Sequence, residues 1–139
     1  MKKGTLLNSE ISYVISKMGH TNTLTIGDCG LPVPEGVQRI DLAVIKGLPE
    51  FMPVLKAVLD ELSVEKIILA EEIRDKSPDI LKNILEIINL TEAEENKKID
   101  VEFIPHEEFK EKTRSSKAVI RTGEYKPFAN IILVSGVTF

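Results

Sequence analysis

The sequence predicts a single three-layer α/β/α domain, residues 1–139, built around a largely parallel, mixed sheet. Three observations carry that expectation. Apolar runs rich in β-branched residues alternate with segments of helical periodicity along most of the chain, the order that lays strands side by side and packs helices over them. The 139 residues are 42% hydrophobic and 29% charged with no Trp, which is enough for one core, and an aliphatic one. No internal repeat and no linker-like stretch divides the chain.

Taken in order, Asn8 or Ser9 can cap a first helix whose Ile11, Val14, Ile15 and Met18 share a face, with Gly19 as its stop. TLTI, Thr23–Ile26, then reads as a short buried strand. Pro32, Pro34 and Gly36 make a loop, after which RIDLAVI, Arg39–Ile45, reads as a second strand. Met52, Leu55, Val58, Leu59 and Leu62 recur at helical spacing and predict a helix over Phe51–Leu62. KIILA, Lys66–Ala70, is a third strand. Ser77–Pro78 predicts an N-cap followed by proline at the first helical position, where the missing N–H costs nothing, and that helix reaches about Leu90. TEAEENKK reads as a solvated loop before a strand over Ile99–Ile104. HEEFKEKT after Pro105 is a short helix, and KAVIRTG and NIILVSGV supply two final strands.

Composition excludes several classes of function. With 18 basic against 22 acidic residues and a net charge of −4, no basic face for nucleic acid is expected. The opening MKKGTLLNSEIS turns polar at Asn8, Ser9 and Glu10 before a useful apolar run develops, unlike a secretory leader. No stretch approaches the roughly 18 apolar residues of a membrane span. Cys29, alone, can form no internal bridge and is expected to be a small buried filler. A cytoplasmic protein without membrane partners is the expectation. One Cys and two His cannot build a Cys-rich zinc site, and HEEF lacks the second histidine of a metalloprotease helix. The glycines of GDCGLPVPEG are separated by prolines and open no helix, so neither a P-loop nor a dinucleotide site is expected. No zinc site and no nucleotide site are expected.

What remains is a constellation of His20, Asp28, His106 and the polar start of the last strand. His20 follows Gly19 at a helix end, Asp28 follows the strand TLTI, and His106 follows the strand ending at Pro105. All three are expected in the loop layer where α/β sheets place ligands. Each residue also has a purely structural reading. His20 can cap a helix C-terminus, Asp28 can form a turn with Cys29 and Gly30, His106 can cap its own helix, and Asn130 can open a strand. Lys110, four residues after His106, can reach a site or extend to solvent.

The segments MKKGTLLNSEISYVISKMGHTNTLTIGDCGLPVP, RIDLAVIKGLPEF, IPHEEFKEKT, RTGE and ANIILVSGVTF, ordered and collinear over nearly the whole chain, together resemble the D-ribose pyranase family. The resemblance implies an isomerase that interconverts the pyranose and furanose rings of D-ribose, delivering a form that ribokinase can use. It implies no cofactor, and a homodecamer of two stacked pentameric rings with sites near subunit contacts. It maps the proton donor to His20 and sugar binding to Asp28, His106, Phe128, Ala129 and Asn130. One departure is visible: the family commonly has tyrosine where this chain has Phe128, with Tyr125 nearby in sequence. The related fucose mutarotases share the architecture and a similar first histidine and aspartate, and His106 favours the ribose branch. A sugar-binding subunit without catalysis is the alternative from another class.

Overall fold

A computed structural model describes residues 1–139. Six strands, β1 (Thr23–Gly27), β2 (Gln38–Asp41), β3 (Val64–Ala70), β4 (Asp100–Ile104), β5 (Ser116–Arg121) and β6 (Ile131–Ser135), form one sheet in the order β2-β5-β1-β6-β3-β4. β6 runs antiparallel to both of its neighbours, β1 and β3, and every other pairing is parallel. The expected mixed, largely parallel α/β sheet is therefore present.

Five helices accompany it: α1 (Ser9–Lys17), α2 (Phe51–Leu59), α3 (Ile73–Lys76), α4 (Pro78–Glu95) and α5 (His106–Lys112). Because side chains alternate across a strand, Leu24 and Ile26 of β1, Ile67 and Leu69 of β3, and Ile131 and Leu133 of β6 share one face. That face packs into the larger core with Ile11 and Val14 of α1, Phe51, Leu55 and Val58 of α2, and Ile80, Ile84 and Ile88 of α4. The opposite face, with Ile68, Ala70, Val119 and Ile132, meets a smaller core around Phe109 of α5 and Leu31. The layers are unequal, and the thin side is the one that carries α5.

Local chemistry sets several boundaries. Asn8 caps α1 by accepting the Ile11 N–H at 2.9 Å, as expected. The second strand is shorter than RIDLAVI suggests. Asp41 turns back to accept the Ala43 N–H, and its partner strand β5 ends at Arg121, so Val44 and Ile45 leave the sheet and lie exposed in a loop closed by an Ile45–Leu48 bridge. Gly123 is required beside that loop, since a Cβ there would overlap the Leu48 carbonyl. α2 ends at Leu59, although the Leu62 N–H still reaches the Val58 carbonyl at 2.8 Å. The acidic run TEAEE continues α4 instead of forming a loop: Thr91 is buried and bonds back to the Ile87 carbonyl, and Asn96 ends the helix in a left-handed conformation. The short α3 has no sequence signal. Pro78 does occupy the start of α4, but the Ser77 hydroxyl makes no cap and donates to the Pro127 carbonyl at 2.7 Å. No helix is long and apolar enough to cross a membrane.

Leu133, fully buried at the centre of β6, tests this core. Leu133→Ala is expected to cost about 2–5 kcal/mol through lost burial and a residual cavity, measured by urea denaturation at fixed protein concentration. A cost near zero would mean that the middle of the sheet is not close-packed.

Candidate active site

Parallel strands end together, and here the C-terminal edge of β1, β4 and β5 coincides with the start of the antiparallel β6. Asp28 follows β1, His106 follows β4 and begins α5, and residues 122–130 run from β5 into β6. A cavity of about 340 Å³ opens among them, lined in part by Asp28, His106, Glu124, Tyr125, Phe128 and Asn130. It lies where open α/β sheets bind ligands.

Asp28 is held on three sides. Its backbone N–H donates to Asn130 Oδ1 at 2.8 Å, and Asn130 Nδ2 donates to Asp28 Oδ2 at 3.1 Å. The Gly30 N–H donates to Oδ1 at 2.9 Å. Gly27 makes the clasp possible, because a Cβ there would sit 2.6 Å from Leu31 Cδ2 and 3.0 Å from Asn130 Oδ1. Both ends of the Asn130 amide are thus engaged by Asp28, which makes Asn130 a holder of the carboxylate. Burial pushes the Asp28 carboxyl above its ordinary range, opposed by the hydrogen bonds from Gly30 and Asn130. A carboxylate so tuned is a better proton acceptor than an exposed one.

His106 stands edge-on to the Phe128 ring, 4.9 Å between centroids, and stacks on Phe109 at 6.2 Å. The His106 backbone N–H donates to both oxygens of Glu72, at 3.2 and 3.1 Å, so a carboxylate from α3's edge caps α5 in place of a local residue. The His106 Nδ1 is buried without a hydrogen-bond partner, and buried polar nitrogens nearly always have one. The residue lines the cavity, and this nitrogen keeps an unused hydrogen-bonding capacity.

Phe128 adopts φ 61, in the left-handed region, which costs a non-glycine residue about 1–3 kcal/mol. The loop around it is held accordingly. Glu124 accepts from the N–H groups of Tyr125 and Lys126 through Oε1 and from Phe51, the first residue of α2, through Oε2, while Ser77 holds Pro127. Tyr125 forms an exposed wall of the cavity beneath the Lys46 ammonium, 4.2 Å from its ring centroid. Ala129 is buried in the larger core, not presented to the cavity. Cys29 is only half-buried and borders the cavity, a correction to the buried filler expected of it. Lys110 pairs with Glu107 at 2.7 Å and does not line the cavity.

His20 requires a correction of position. It precedes β1 and so lies at the opposite edge of the sheet from Asp28, which follows β1. The five residues of β1 separate them by roughly 15 Å of strand. Within one chain Asp28 cannot orient His20; the imidazole Nε2 sits 2.8 Å from Glu65 Oε2 instead. Chain order alone separates the two, since a residue before β1 sits at its amino end and the cavity forms at the carboxyl ends. Glu124, Glu72 and Glu65 carry no sequence signal beyond being acids in polar surroundings, because each acts on a group far away in the chain.

Fold and cavity together define a class: a small α/β domain with a cleft at the carboxyl ends of its strands, sized for a small ligand and lined by a carboxylate, an imidazole and aromatic rings. The chain belongs to the RbsD / FucU transport protein family, whose model matches residues 1–138. It is 53% identical to a D-ribose pyranase of Aliivibrio fischeri and 54% identical to one of Clostridium perfringens, each over 139 residues and the full length of both chains. Among solved structures it is similar to Bacillus subtilis RbsD complexed with D-ribose, at 42% identity, full coverage of both chains and a TM-score of 0.90. A fucose mutarotase from Streptococcus pneumoniae in complex with L-fucose shares the fold at 19% identity, 99% coverage of each chain and a TM-score of 0.80.

The raised Asp28 carboxyl has a sign that can be checked. The folded chain binds this proton more tightly than the unfolded one, so the neutral acid stabilises the fold below the usual carboxylate range, and that contribution is lost as pH rises through the raised folded value. Asp28→Asn stays neutral. Thermal denaturation across that window is expected to show the natural protein losing stability relative to Asp28→Asn as pH rises. A pH-independent difference would contradict it.

Proposed function

We propose that this protein is a D-ribose pyranase, an isomerase interconverting the β-pyranose and β-furanose forms of D-ribose. The observation that supports it most is a cavity with a tuned carboxylate and an unpartnered imidazole nitrogen, in a chain that aligns over its full length with D-ribose pyranases at about half identity.

The chemistry needs one proton removed and one supplied. To open the pyranose, the Asp28 carboxylate takes the proton of the anomeric hydroxyl, the bond from C1 to the ring oxygen breaks, and protonated His20 gives its proton to that oxygen. An open-chain aldehyde results. To close the furanose, the hydroxyl on C4 attacks C1 and returns its proton to His20, while the carbonyl oxygen takes the proton back from Asp28. Protons balance over the cycle, and no cofactor enters. Histidine exchanges protons readily near neutral pH, and positioned acid–base groups contribute about 10²–10⁴-fold. His106 Nδ1 takes a sugar hydroxyl, the Phe128 ring packs on the sugar's C–H face, and Asn130 keeps Asp28 in register.

His20 cannot reach the cavity of its own chain, so the working site is shared: a second copy brings its His20 edge to the Asp28 edge of the first. Support comes from the exposed Val44, Ile45 and Leu48 on the loop beside the cavity, a surface that self-association would cover. The assembly of this reading is a homodecamer of two stacked pentameric rings. The work belongs to ribose catabolism in the cytoplasm, where a lone Cys29 stays reduced.

Exchange NMR on D-ribose tests the activity. The natural protein is expected to accelerate exchange between pyranose and furanose, and His20→Ala to lose about 10²-fold or more of that acceleration while still contacting the sugar in saturation transfer. Sugar contact without accelerated exchange in the natural protein would make it a binder and sink the isomerase reading.

A further inference from the structure

The turn that carries His20 is more constrained than a connection between a helix and a strand requires. The Gly19 N–H donates to Asn22 Oδ1 at 3.0 Å, and the Asn22 N–H donates back to the Gly19 carbonyl at 3.1 Å. Between them Thr21 takes φ 66, a costly conformation for a β-branched residue, held by its N–H donating to the Ser135 carbonyl at 2.8 Å. His20 is therefore fixed by backbone contacts to the end of β6.

Its ring meets Glu65, the second residue of β3, with Nε2 2.8 Å from Oε2. Glu65 is itself braced. A Cβ on Gly136 would sit 3.2 Å from Glu65 Cβ and 3.3 Å from its backbone nitrogen, so the chain after β6 lies directly against it. With the two side chains 54% and 41% exposed, the pair adds little stability, since exposed ion pairs are typically worth about 0–1 kcal/mol. Stability does not account for two braced backbones converging on one exposed imidazole. Orientation does, because the partner of one ring nitrogen decides which nitrogen is left to react.

We propose that Glu65 is a positioning residue for His20: its carboxylate accepts the Nε2–H, fixes the neutral imidazole as that tautomer, and leaves Nδ1 as the nitrogen that exchanges a proton with the sugar. The inference rests on the reading of His20 as the proton carrier. In the opening step the Nδ1–H proton passes to the ring oxygen as the bond to C1 breaks, and in the closing step Nδ1 takes the proton of the attacking hydroxyl; the other proton stays on Nε2, hydrogen-bonded to Glu65, throughout. Losing a carboxylate that sets a catalytic imidazole's tautomer lowers kcat by up to about 10⁴-fold where the site is buried, and an exposed pair such as this one is expected to carry less.

The test uses the assembled protein with Glu65→Ala, Glu65→Gln, His20→Ala and the double variant Glu65→Ala/His20→Ala. Glu65→Ala is expected to lower kcat at least tenfold with KM for D-ribose little changed, and Glu65→Gln, whose amide oxygen can still accept the Nε2–H, to recover most of that loss. Nitrogen-15 NMR of the imidazole is expected to show the Nε2–H tautomer in the natural protein and a mixture in Glu65→Ala. In the His20→Ala background the Glu65 change is expected to do nothing further, as it must if Glu65 acts only through that ring. Unchanged kcat in Glu65→Ala, an Nδ1–H tautomer in the natural protein, or losses that multiply in the double variant would each overturn the positioning role. Full activity in His20→Ala would instead overturn the proton-carrier reading on which it rests.

Discussion

The constraint on which the molecule depends is the reversed strand at its centre. β6 is the only connection between the parallel group β2-β5-β1 and the parallel pair β3-β4, so its two antiparallel pairings hold the sheet together. Reversal has a second consequence. A parallel last strand would start at the opposite edge, whereas an antiparallel one starts beside the ends of β1 and β4 and brings residues 122–130 to Asp28 and His106. The same strand that joins the core assembles the cavity, and its other end, at Ser135 and Gly136, braces the turn of His20 and the backbone of Glu65.

A second regularity is the use of distant carboxylates in place of local caps. Neither α2 nor α5 has a side-chain cap of its own. Glu124 reaches the first N–H of α2 and Glu72 the first N–H of α5, and each of these acids belongs to, or adjoins, the loops that shape the cavity. Satisfying a helix terminus from across the fold ties the position of the helix to that of the loop. The strained backbone of Phe128 persists because Glu124, Ser77 and the Asp28–Asn130 clasp determine its surroundings from three directions. The site is organised before any ligand arrives, as proton-transfer chemistry demands.

Much of this could be read from sequence, and the losses have physical causes. Periodicity located the strands around Leu24, Ile68, Phe103, Val119 and Leu133 because a buried strand must be apolar whatever lies beside it. It overextended β2, because Val44 and Ile45 are apolar yet exposed in a loop, and it truncated α4, because a charged helical turn and a charged loop look alike. Asp28, His106, Phe128 and Asn130 were legible as a group and do converge. His20 was legible as a residue, and its edge follows from chain order: it precedes β1 and so sits opposite the carboxyl ends where ligands gather. Glu65, Glu72 and Glu124 were not legible, because the partners that tie them across the fold, His20, His106 and Phe51, lie 34 to 73 positions away.

His20 and Asp28 lie on opposite edges of each chain, so if they are the acid and base proposed above they meet only between chains. Complementation tests it most directly. Two differently tagged variants, His20→Ala and Asp28→Asn, each inactive alone, are co-expressed and the mixed assemblies isolated. Random mixing places an intact His20 edge against an intact Asp28 edge at about a quarter of the contacts of a cyclic assembly, so roughly that share of the natural ring-exchange activity is expected to return. Mixed assemblies as inactive as either variant alone would contradict a site shared between copies.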